Sequence, residues 1–406
     1  MQEIAEQAIA YPEMVFTTLI HRIDEAWLKE AYRRTNRQGA AGVDGVTAKE
    51  YEANLDENLQ DLLERLRSGR YKAPPVERVW LEKEDGRKRP IGKPTLEDKI
   101  VQRAVVMLLE PIYEQEFYDF SHGFRKGHSA HQALHEMREA CRQQNINWII
   151  DADVSRFFDE LGHDQLREFI KRRVNDGGIM RLIGKWLNAG VMEEGKLTYA
   201  EKGSPQGGVI SPLAANIFLH YVLDEWYEQE VKPRLKGRSF LQRFADDFII
   251  GCELESDARR IMAVLPRRFG RYGLTIHPEK TKLVKFGKPP KKGQPGPKNE
   301  TFDFLGFTHY WAKSRRGYWV IKRKTARKRQ RRSIKSLWQW CKENRHLPLE
   351  EQYQMLCLKL RGHYQYYGIR SNTRQLEEVY QKARAGWSIM PPEIWTKESG
   401  MLSSSK

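Results

Sequence analysis

Two adjacent aspartates, Asp246 and Asp247, lie between apolar residues in the segment Gln242–Ile249. Because neighbouring side chains on a β-strand point to opposite faces, both carboxylates reach one site only if the chain turns sharply there. Two carboxylates this close repel each other, and burying them costs several kcal/mol unless a cation compensates the charge. An aspartate pair at a hairpin tip therefore indicates a divalent-metal site, with a solvated turn as the commoner alternative for such a pair taken alone.

A third carboxylate, Asp153, closely follows the apolar run Trp148–Ile150, which predicts a buried strand. Three carboxylates from two chain segments can hold two divalent cations about 3.5–4 Å apart, the arrangement that phosphoryl-transfer polymerases need. One cation activates a 3′-hydroxyl and the other holds a triphosphate. Between the two segments lies a glycine-rich loop, Gly203–Gly208, of the kind that admits nucleic acid close to the backbone.

The elements that position these residues alternate between strands and helices through about the first 290 residues. The segment Val79–Ile91 predicts two strands joined by an Asp-Gly turn, and Pro94–Asp98 predicts the capped start of a buried helix. A hairpin is predicted over Phe240–Cys252, followed by another helix. The alternation predicts an α+β fold.

The remainder of the chain has a different pattern. Residues 287–298 predict an irregular basic loop, and Phe302–Phe307 predicts a short strand. From about residue 322 the sequence predicts a very basic helix, followed by helices over roughly 349–366 and 373–385. A solvated helix face normally mixes charge signs, so the basic helix indicates contact with a nucleic-acid backbone, and such binding should fall steeply with salt.

Composition agrees with a polyanionic partner. The 406 residues include 70 Lys or Arg and 54 Asp or Glu, a net charge of +16, whereas a merely basic soluble protein is the alternative. The four cysteines form no Cys-x-x-Cys pair, which argues against a zinc ribbon and for a reducing compartment. Because no apolar run approaches a membrane span or a signal-peptide core, we expect a cytoplasmic protein without a membrane partner.

Further segments accompany the aspartate motifs in a fixed order along residues 25–385. They are Arg89–Gly92, Gly123–His131, Asp151–Asp159, Ser204–Leu213, Phe244–Asp247, Gly273–Lys282, Phe304–Phe307 and Leu360–Gly368. Together they resemble the motifs of the retron-type reverse transcriptases that bacterial group II introns encode. Three positions depart from the family pattern: Phe244 replaces a tyrosine, and His122 and Lys126 replace an expected tyrosine and proline.

The resemblance implies a right-hand polymerase. Its fingers and palm would contain an antiparallel sheet, and an all-α thumb, or maturase, domain would follow. The implied boundaries are an N-terminal extension over 1–45, fingers and palm over 46–300, the thumb over 301–390 and a loose tail over 391–406. No segment resembles the DNA-binding and metal-dependent nuclease domains that many relatives carry.

Transferred position by position, the resemblance makes Asp153, Asp246 and Asp247 the catalytic metal ligands, with the backbone of Val154 assisting. The implied metals are two Mg²⁺ ions, for which Mn²⁺ can substitute. Asp151 shares a strand face with Asp153 but aligns outside the motif, so we expect it beside the metal ligands rather than among them.

The resemblance also implies two groups of binding residues. Phe158 stands where the family places a bulky side chain against ribose 2′-hydroxyls, with core packing as the alternative, and solvated surface lysines are the alternative for Lys83 and Lys280. The residues implied to contact the nucleotide are Lys83, Arg89, Phe158, Gln206 and Lys280. The residues implied to contact nucleic acid are Arg125, Gly207, Gly208, Lys322, Arg323, Lys324, Arg327, Lys328 and Arg331.

The function implied is an RNA-directed DNA polymerase, in which a primer 3′-hydroxyl attacks the α-phosphate of a dNTP. Its partners would be an RNA template, a DNA primer and group II intron RNA, whose splicing and mobility it would assist. One alternative is a splicing chaperone with incidental polymerase activity, and another is a relative recruited for host defence. The three intact aspartates favour the polymerase, because a chaperone gains nothing from crowded carboxylates.

Overall fold

A computed structural model describes residues 1–82, 88–193, 196–199, 207–289 and 300–388. The predictions made for Lys83, Gln206 and the tail from residue 391 fall outside these ranges. The chain divides into two compact units, Met1–Leu283 and Val284–Lys406. Within the described ranges, no helix is both long and apolar enough to cross a bilayer.

The N-terminal helices share the core of the first unit. Leu28 in the second helix and Leu59 in the fourth are fully buried, because each lies on the apolar stripe of an amphipathic helix. The third and fourth helices follow each other directly and are separated at Asn54. These elements are α1 (Gln2–Ala10), α2 (Glu25–Arg34), α3 (Ala48–Ala53) and α4 (Leu55–Arg67).

A small sheet follows, and it confirms the two strands predicted over Val79–Ile91. Strands β1 (Val76–Glu82) and β2 (Lys88–Lys93) pair antiparallel, and the Asp-Gly turn between them lies outside the described residues. The strand order is β2-β1-β6-β7, with β6 at Val191–Glu193 and β7 at Lys196–Thr198. Helix α5 (Leu96–Tyr113) begins where Thr95 accepts a hydrogen bond from the Asp98 amide, as the capping pattern predicts.

A central sheet of the first unit carries the predicted aspartate segments. Its neighbouring strands, in the order β4-β9-β8-β3, are β4 (Trp148–Ala152), β9 (Asp247–Cys252), β8 (Ser239–Phe244) and β3 (Ser121–His122). Strands β8 and β9 form the predicted antiparallel hairpin. The short strands β5 (Val154–Ser155) and β10 (Thr275–Ile276) pair separately.

Helices pack around this sheet through apolar faces that are almost fully buried. Helix α10 continues into π-helical segments at His220–Asp224 and Tyr227–Val231. The remaining helices of the unit are α6 (Ala130–Gln143), α7 (Phe157–Glu160), α8 (His163–Lys171), α9 (Gly177–Leu187), α10 (Ser211–Leu219) and α11 (Glu255–Gly270).

The second unit combines a sheet with three helices. Strand β11 (Lys282–Lys285) spans the boundary, and β12 (Phe302–Phe304), β13 (Phe307–Lys313) and β14 (Trp319–Thr325) form an antiparallel sheet. The helices are α12 (Arg327–Glu343), α13 (Leu349–Tyr367) and α14 (Thr373–Ser388), which confirms the second and third predicted helices. Their small core contains Leu337, Cys341, Leu356, Val379 and Ala383.

The prediction that a helix begins near residue 322 is wrong. Residues Lys322, Arg323 and Lys324 lie in β14, paired with Tyr310, His309 and Thr308 of β13. The strand is favoured because it begins with Trp319-Val320-Ile321 and because Tyr310 offers its ring to Lys324, 5.4 Å from ammonium to ring centroid. An all-α description therefore applies only from Arg327 onward.

Candidate active site

The hairpin β8–β9 ends in a tight turn that presents Asp246 and Asp247. Phe244 and Asp247 form the last pair of the ladder, so Ala245 and Asp246 make the turn. Ala245 has φ 56°, a left-handed conformation that is uncommon for residues other than glycine. The half-buried Asp246 and the exposed Asp247 thus lie together at the hairpin tip, as the sequence predicts for a sharp turn.

Asp153 lies at the same end of the neighbouring strand. Strand β4 pairs antiparallel with β9, and the last pair of the ladder joins Ala152 to Phe248. Asp153 follows Ala152 and Asp247 precedes Phe248, so both aspartates lie directly beyond or at the end of this last pair. The sheet therefore brings the three predicted carboxylates, from two separate chain segments, to one edge.

The surroundings of Asp153 hold both its backbone and its carboxylate. The carbonyl oxygen accepts a hydrogen bond from the His277 amide at 2.8 Å, and the amide donates to Thr281 Oγ1 at 3.4 Å. Lys280 Nζ lies 2.7 Å from Asp153 Oδ2. Because both side chains are about half exposed, 51% for Lys280 and 44% for Asp153, this ion pair adds little to stability.

The three aspartates offer the hard oxygen ligands that Mg²⁺ prefers. In the described part of the chain, no three His, Cys, Asp or Glu side chains are grouped so that they could hold a metal ion as they stand. At Asp153, Oδ2 is engaged by the Lys280 ammonium, which a divalent cation would have to displace. The three carboxylates are thus of the right chemical type for a divalent cation, but their present grouping does not form a complete site.

A buried ion pair supports the hairpin from within. Arg243, in β8, and Asp224 are both completely buried, with Nε–Oδ1 at 2.8 Å and Nη2–Oδ2 at 2.5 Å. Arg243 Nη1 also donates to Asn216 Oδ1 and to the carbonyl oxygen of Ala245, each at 3.0 Å, and Nη2 donates to Ser121 Oγ. Burial raises the pKa of the Asp224 carboxyl, and the guanidinium opposes that shift.

The turn is also fixed from the side of β3. The Ala245 amide donates to the His122 carbonyl oxygen at 3.1 Å. Gly123 has φ 82°, and a Cβ there would lie 2.6 Å from the Ala245 nitrogen. Only glycine therefore allows this segment to approach the turn so closely. Sequence reasoning missed the support that Arg243 and Asp224 give to the turn, because their contact joins two separate segments and neither segment shows a local pattern for it.

The residues predicted to contact the nucleotide lie in several elements. Val154, the predicted backbone ligand, lies in β5 opposite Ile276. Arg89 lies in β2 opposite Leu81. Phe158 is buried in α7, with its ring centroid 5.3 Å from that of Phe157 in an edge-on arrangement. This burial fits the packing alternative and leaves the predicted contact with ribose as a prediction.

The described end of the glycine-rich loop lies against β2. Gly207 has φ 118°, and a Cβ there would lie 2.2 Å from the Gly92 carbonyl oxygen, so a side chain at this position is excluded. Gly208 is buried beside it. The loop then enters α10, where the Ile210 amide donates to Gln102 Oε1 at 3.2 Å.

Arg125 is a correction to the predicted nucleic-acid contacts. Its side chain is only 4% exposed and forms an ion pair with Glu114 at 3.0 Å. Nη1 donates to the carbonyl oxygens of Tyr118 and Ser121, and the guanidinium lies over the Phe117 ring. A guanidinium engaged on so many sides inside the fold is not available to a phosphate.

The other predicted nucleic-acid contacts lie in the second unit. Arg327, Lys328 and Arg331 are exposed in the first turns of α12. Lys322, Arg323 and Lys324 belong to β14 instead, where Lys324 is exposed and the other two are half-buried. Because these cations lie on both a strand and a helix, they do not form the single helical surface that the sequence predicted.

Known proteins share these segments. The chain matches the reverse transcriptase (RNA-dependent DNA polymerase) family over residues 81–309. It is 32% identical to protein YkfC of Escherichia coli strain K12 over 353 residues, 78% of this chain and 89% of YkfC. It is 35% identical to the group II intron-encoded protein LtrA of Lactococcus lactis subsp. cremoris over 191 residues, 47% of this chain and 32% of LtrA.

A third relative is the putative COX1/OXI3 intron 1 protein of Saccharomyces cerevisiae. It is 29% identical over 303 residues, which cover 63% of this chain and 36% of that protein. The chain thus spans most of YkfC but only about a third of the two longer relatives.

Proposed function

Since the chain belongs to the reverse transcriptases (RNA-dependent DNA polymerases) of the group II intron type, we propose that it extends a DNA primer along an RNA template. The reaction is attack of the primer 3′-hydroxyl on the α-phosphate of a dNTP, with release of pyrophosphate. The observation that carries the proposal is the pairing of β4 with β9, whose last pair, Ala152 with Phe248, is flanked by Asp153 on one strand and Asp247 on the other.

The metal ligands would be Asp153, Asp246 and Asp247, with the backbone of Val154 assisting. Two Mg²⁺ ions, or Mn²⁺ in their place, would lower the pKa of the 3′-hydroxyl and neutralise the triphosphate when bound there. The chain's own contribution is to hold the carboxylates at one edge, through the Arg243 contacts to the turn and the backbone bonds of Asp153. Lys280, whose Nζ lies 2.7 Å from Asp153 Oδ2, would exchange that carboxylate for a triphosphate oxygen.

The residues proposed to contact the incoming nucleotide, on the family resemblance, are Lys83, Arg89, Phe158, Gln206 and Lys280. Gly207 and Gly208 would let the nascent base pair pass close to the backbone. Packing against the Gly92 carbonyl oxygen already requires glycine at position 207, so the role in passing the base pair rests on the family resemblance.

The domain assignment follows the family. Residues 46–300 would form fingers and palm and residues 301–390 the thumb, or maturase, domain of a right-hand polymerase, after an N-terminal extension over 1–45. The exposed cations of the second unit would bind the backbone of the template–primer duplex. They are Lys324 in β14 and Arg327, Lys328 and Arg331 in α12, with the half-buried Lys322 and Arg323 beside them.

Group II intron RNA is the proposed partner beyond the template. LtrA is named as a group II intron-encoded protein, and this chain shares 35% identity with it over 191 residues. The net charge of +16 supports binding of a large RNA. The second candidate function is that of an RNA-binding splicing chaperone, which the exposed cations of the second unit would equally serve.

Primer extension tests the proposal. The reaction contains the protein, a DNA primer annealed to an RNA template, the four dNTPs and Mg²⁺. A second reaction contains EDTA in addition, and a third contains EDTA followed by excess Mg²⁺. We expect synthesis that stops with EDTA and returns with Mg²⁺. A folded protein that binds RNA but extends no primer would contradict the polymerase, and splicing of a candidate intron RNA would then test the chaperone.

A further inference from the structure

A groove in the first unit is lined by five arginines and shares no residue with the aspartate site. It lies between helix α11 and the segment that follows α10, and its volume is about 310 Å³. Trp226 and Val231 contribute apolar surface. Among the lining residues that the structure describes, Glu230 is the one carboxylate. The arginines are Arg234, Arg260, Arg267, Arg268 and Arg271.

Three of the arginines form a row along one face of α11 and its end. Arg260, Arg267 and Arg271 are spaced i, i+7 and i+11, so they share a face and extend over about 16 Å. Val264 lies between them and is 41% exposed. Leu265, on the apolar face of the same helix, is fully buried in the core of the unit. Because that apolar face packs against the core, the face that carries the arginines points to solvent.

The charges in the groove are only weakly compensated. Arg234 lies 3.7 Å from Glu230, and Arg260 lies 3.8 Å from Asp257. Both guanidinium groups are mostly exposed, with side-chain exposures of 70% and 57%, so these long ion pairs are weak. Arg260 Nη1 also donates to the Arg234 carbonyl oxygen at 3.2 Å, a neutral acceptor that leaves the positive charge in place. The groove therefore keeps a surplus of positive charge that an anionic ligand can use.

Arg268 differs from the other four because its position is fixed. It donates to the carbonyl oxygens of Tyr221 and Val222, each at 2.9 Å. Its guanidinium lies 5.6 Å from the Trp226 ring centroid and 5.0 Å from that of Tyr272. These contacts fix the position of the Arg268 guanidinium. It lines the groove together with the four more exposed arginines.

We propose that this groove binds the phosphate backbone of an RNA strand other than the template–primer duplex. The proposal rests on the proposed function, which makes RNA the polyanion that this protein meets. The planar fork of arginine matches a phosphate with two parallel hydrogen bonds. A strand that lies along the row can meet each of its three arginines with a phosphate. A flat membrane surface would not enter a concave groove.

The test removes the row of arginines and compares it with a matched control. The groove variant is R260A/R267A/R271A, and the control is R33A/R142A/R259A. Each control arginine is more than 65% exposed and pairs with a glutamate on its own helix, and Arg259 lies next to the groove row on α11. Both variants lose three positive charges, so a general effect of net charge acts on them equally.

Binding is measured by fluorescence anisotropy with a labelled 20-nucleotide oligouridine RNA, on protein already saturated with an unlabelled primer–template duplex. We expect the groove variant to bind the RNA about tenfold more weakly than the wild type and the control variant less than threefold more weakly. The slope of log K against log salt should decrease by about two in the groove variant, because three phosphate contacts are lost. Thermal unfolding of each variant checks the fold.

Equal losses in the two variants, or no loss in the groove variant, would overturn the proposal. A groove variant that binds oligouridine as the wild type does, but binds labelled polyglutamate more weakly than the wild type, would also overturn it, because the occupant would then be an acidic protein. A photo-crosslinking residue at position 264 should capture the RNA, and the same residue at position 259 should not. The groove variant should extend primers at the wild-type rate, because the groove shares no residue with the aspartate site. If the wild type itself extended no primer, the polymerase proposal would fail, while RNA binding by the groove would still be decided by the anisotropy measurement.

Discussion

Ala245 adopts the left-handed conformation on which the aspartate pair depends, and hydrogen bonds hold it from two sides. Its amide is bonded to the His122 carbonyl oxygen and its carbonyl oxygen to Arg243. A non-glycine residue in this conformation costs of the order of 1–3 kcal/mol, which the surrounding contacts must offset. Arg243 is central to that support because the same guanidinium also neutralises the buried Asp224.

Variants at Arg243 should therefore distinguish its contribution to the stability of the fold from its contribution to the position of the Ala245 turn. Arg243→Met leaves Asp224 buried without its partner, and we expect a loss of about 3–5 kcal/mol in the free energy of unfolding. The double variant Arg243→Met/Asp224→Leu should recover most of that loss, because no charge is then buried alone. Chemical denaturation measures both.

Synthesis should not recover with stability in the double variant. The Ala245 carbonyl oxygen still lacks its donor, so we expect primer extension to stay at least tenfold slower than in the wild type, with RNA affinity nearly unchanged. A double variant that is stable and extends primers at the wild-type rate would show that Arg243 has no positioning role.

Among the elements, those with a strong periodic pattern were predictable from the sequence. The hairpin Phe240–Cys252 and the capped helix after Thr95 are found where the pattern indicates. The prediction of a helix for the basic run was wrong at its start. Lys322, Arg323 and Lys324 show neither a helical nor a strand periodicity, and their strand conformation depends on pairing with β13.

The direction in which a side chain points could not be predicted from the sequence either. Arg125 belongs to a segment with the pattern of a polymerase finger motif, yet its guanidinium is buried by contacts with Glu114 and two carbonyl oxygens. Arg243 contacts Asp224, which lies 19 positions earlier at the end of a π-helical segment. No local sequence pattern indicates that contact. Both depend on tertiary contacts rather than on residue type or spacing.

At the level of elements, the loop before α10 should not tolerate a side chain. Gly207→Ala places a Cβ against the Gly92 carbonyl oxygen in a backbone conformation that alanine avoids, and we expect a cost of about 1–3 kcal/mol. Primer extension should decrease at least tenfold because the loop must move. The matched control is Gly270→Ala, where the added Cβ meets open space; equal effects of the two substitutions on synthesis would contradict this role.

For the whole molecule, buried neutral histidines predict a loss of stability in acid. Burial lowers the pKa of His220 from 6.5 to about 3, helped by Arg243, Arg172 and Arg125. Because the unfolded chain binds the proton more readily, stability from this group is complete above about pH 6.5 and falls as the pH decreases toward 3, by up to about 1.4 kcal/mol per pH unit. The same reasoning applies to His309 in the second unit.

The variant His220→Gln isolates this effect from the carboxylates that titrate over the same range. Its stability relative to the wild type should improve as the pH falls from 6.5 to 4, as measured by urea denaturation at several pH values. A constant difference across that range would mean that protonation of His220 is not linked to unfolding.

We propose that the aspartates at the hairpin tip perform the chemistry and do not maintain the fold. The most direct measurement is single-turnover primer extension on an RNA template by Asp246→Asn, beside its affinity for the same primer–template. The matched control is Asp151→Asn, which changes a carboxylate two residues before Asp153 in β4. We predict that Asp246→Asn abolishes synthesis with nearly unchanged affinity, whereas Asp151→Asn keeps measurable synthesis. Loss of synthesis and affinity together in Asp246→Asn would contradict the account, because the carboxylate would then be structural.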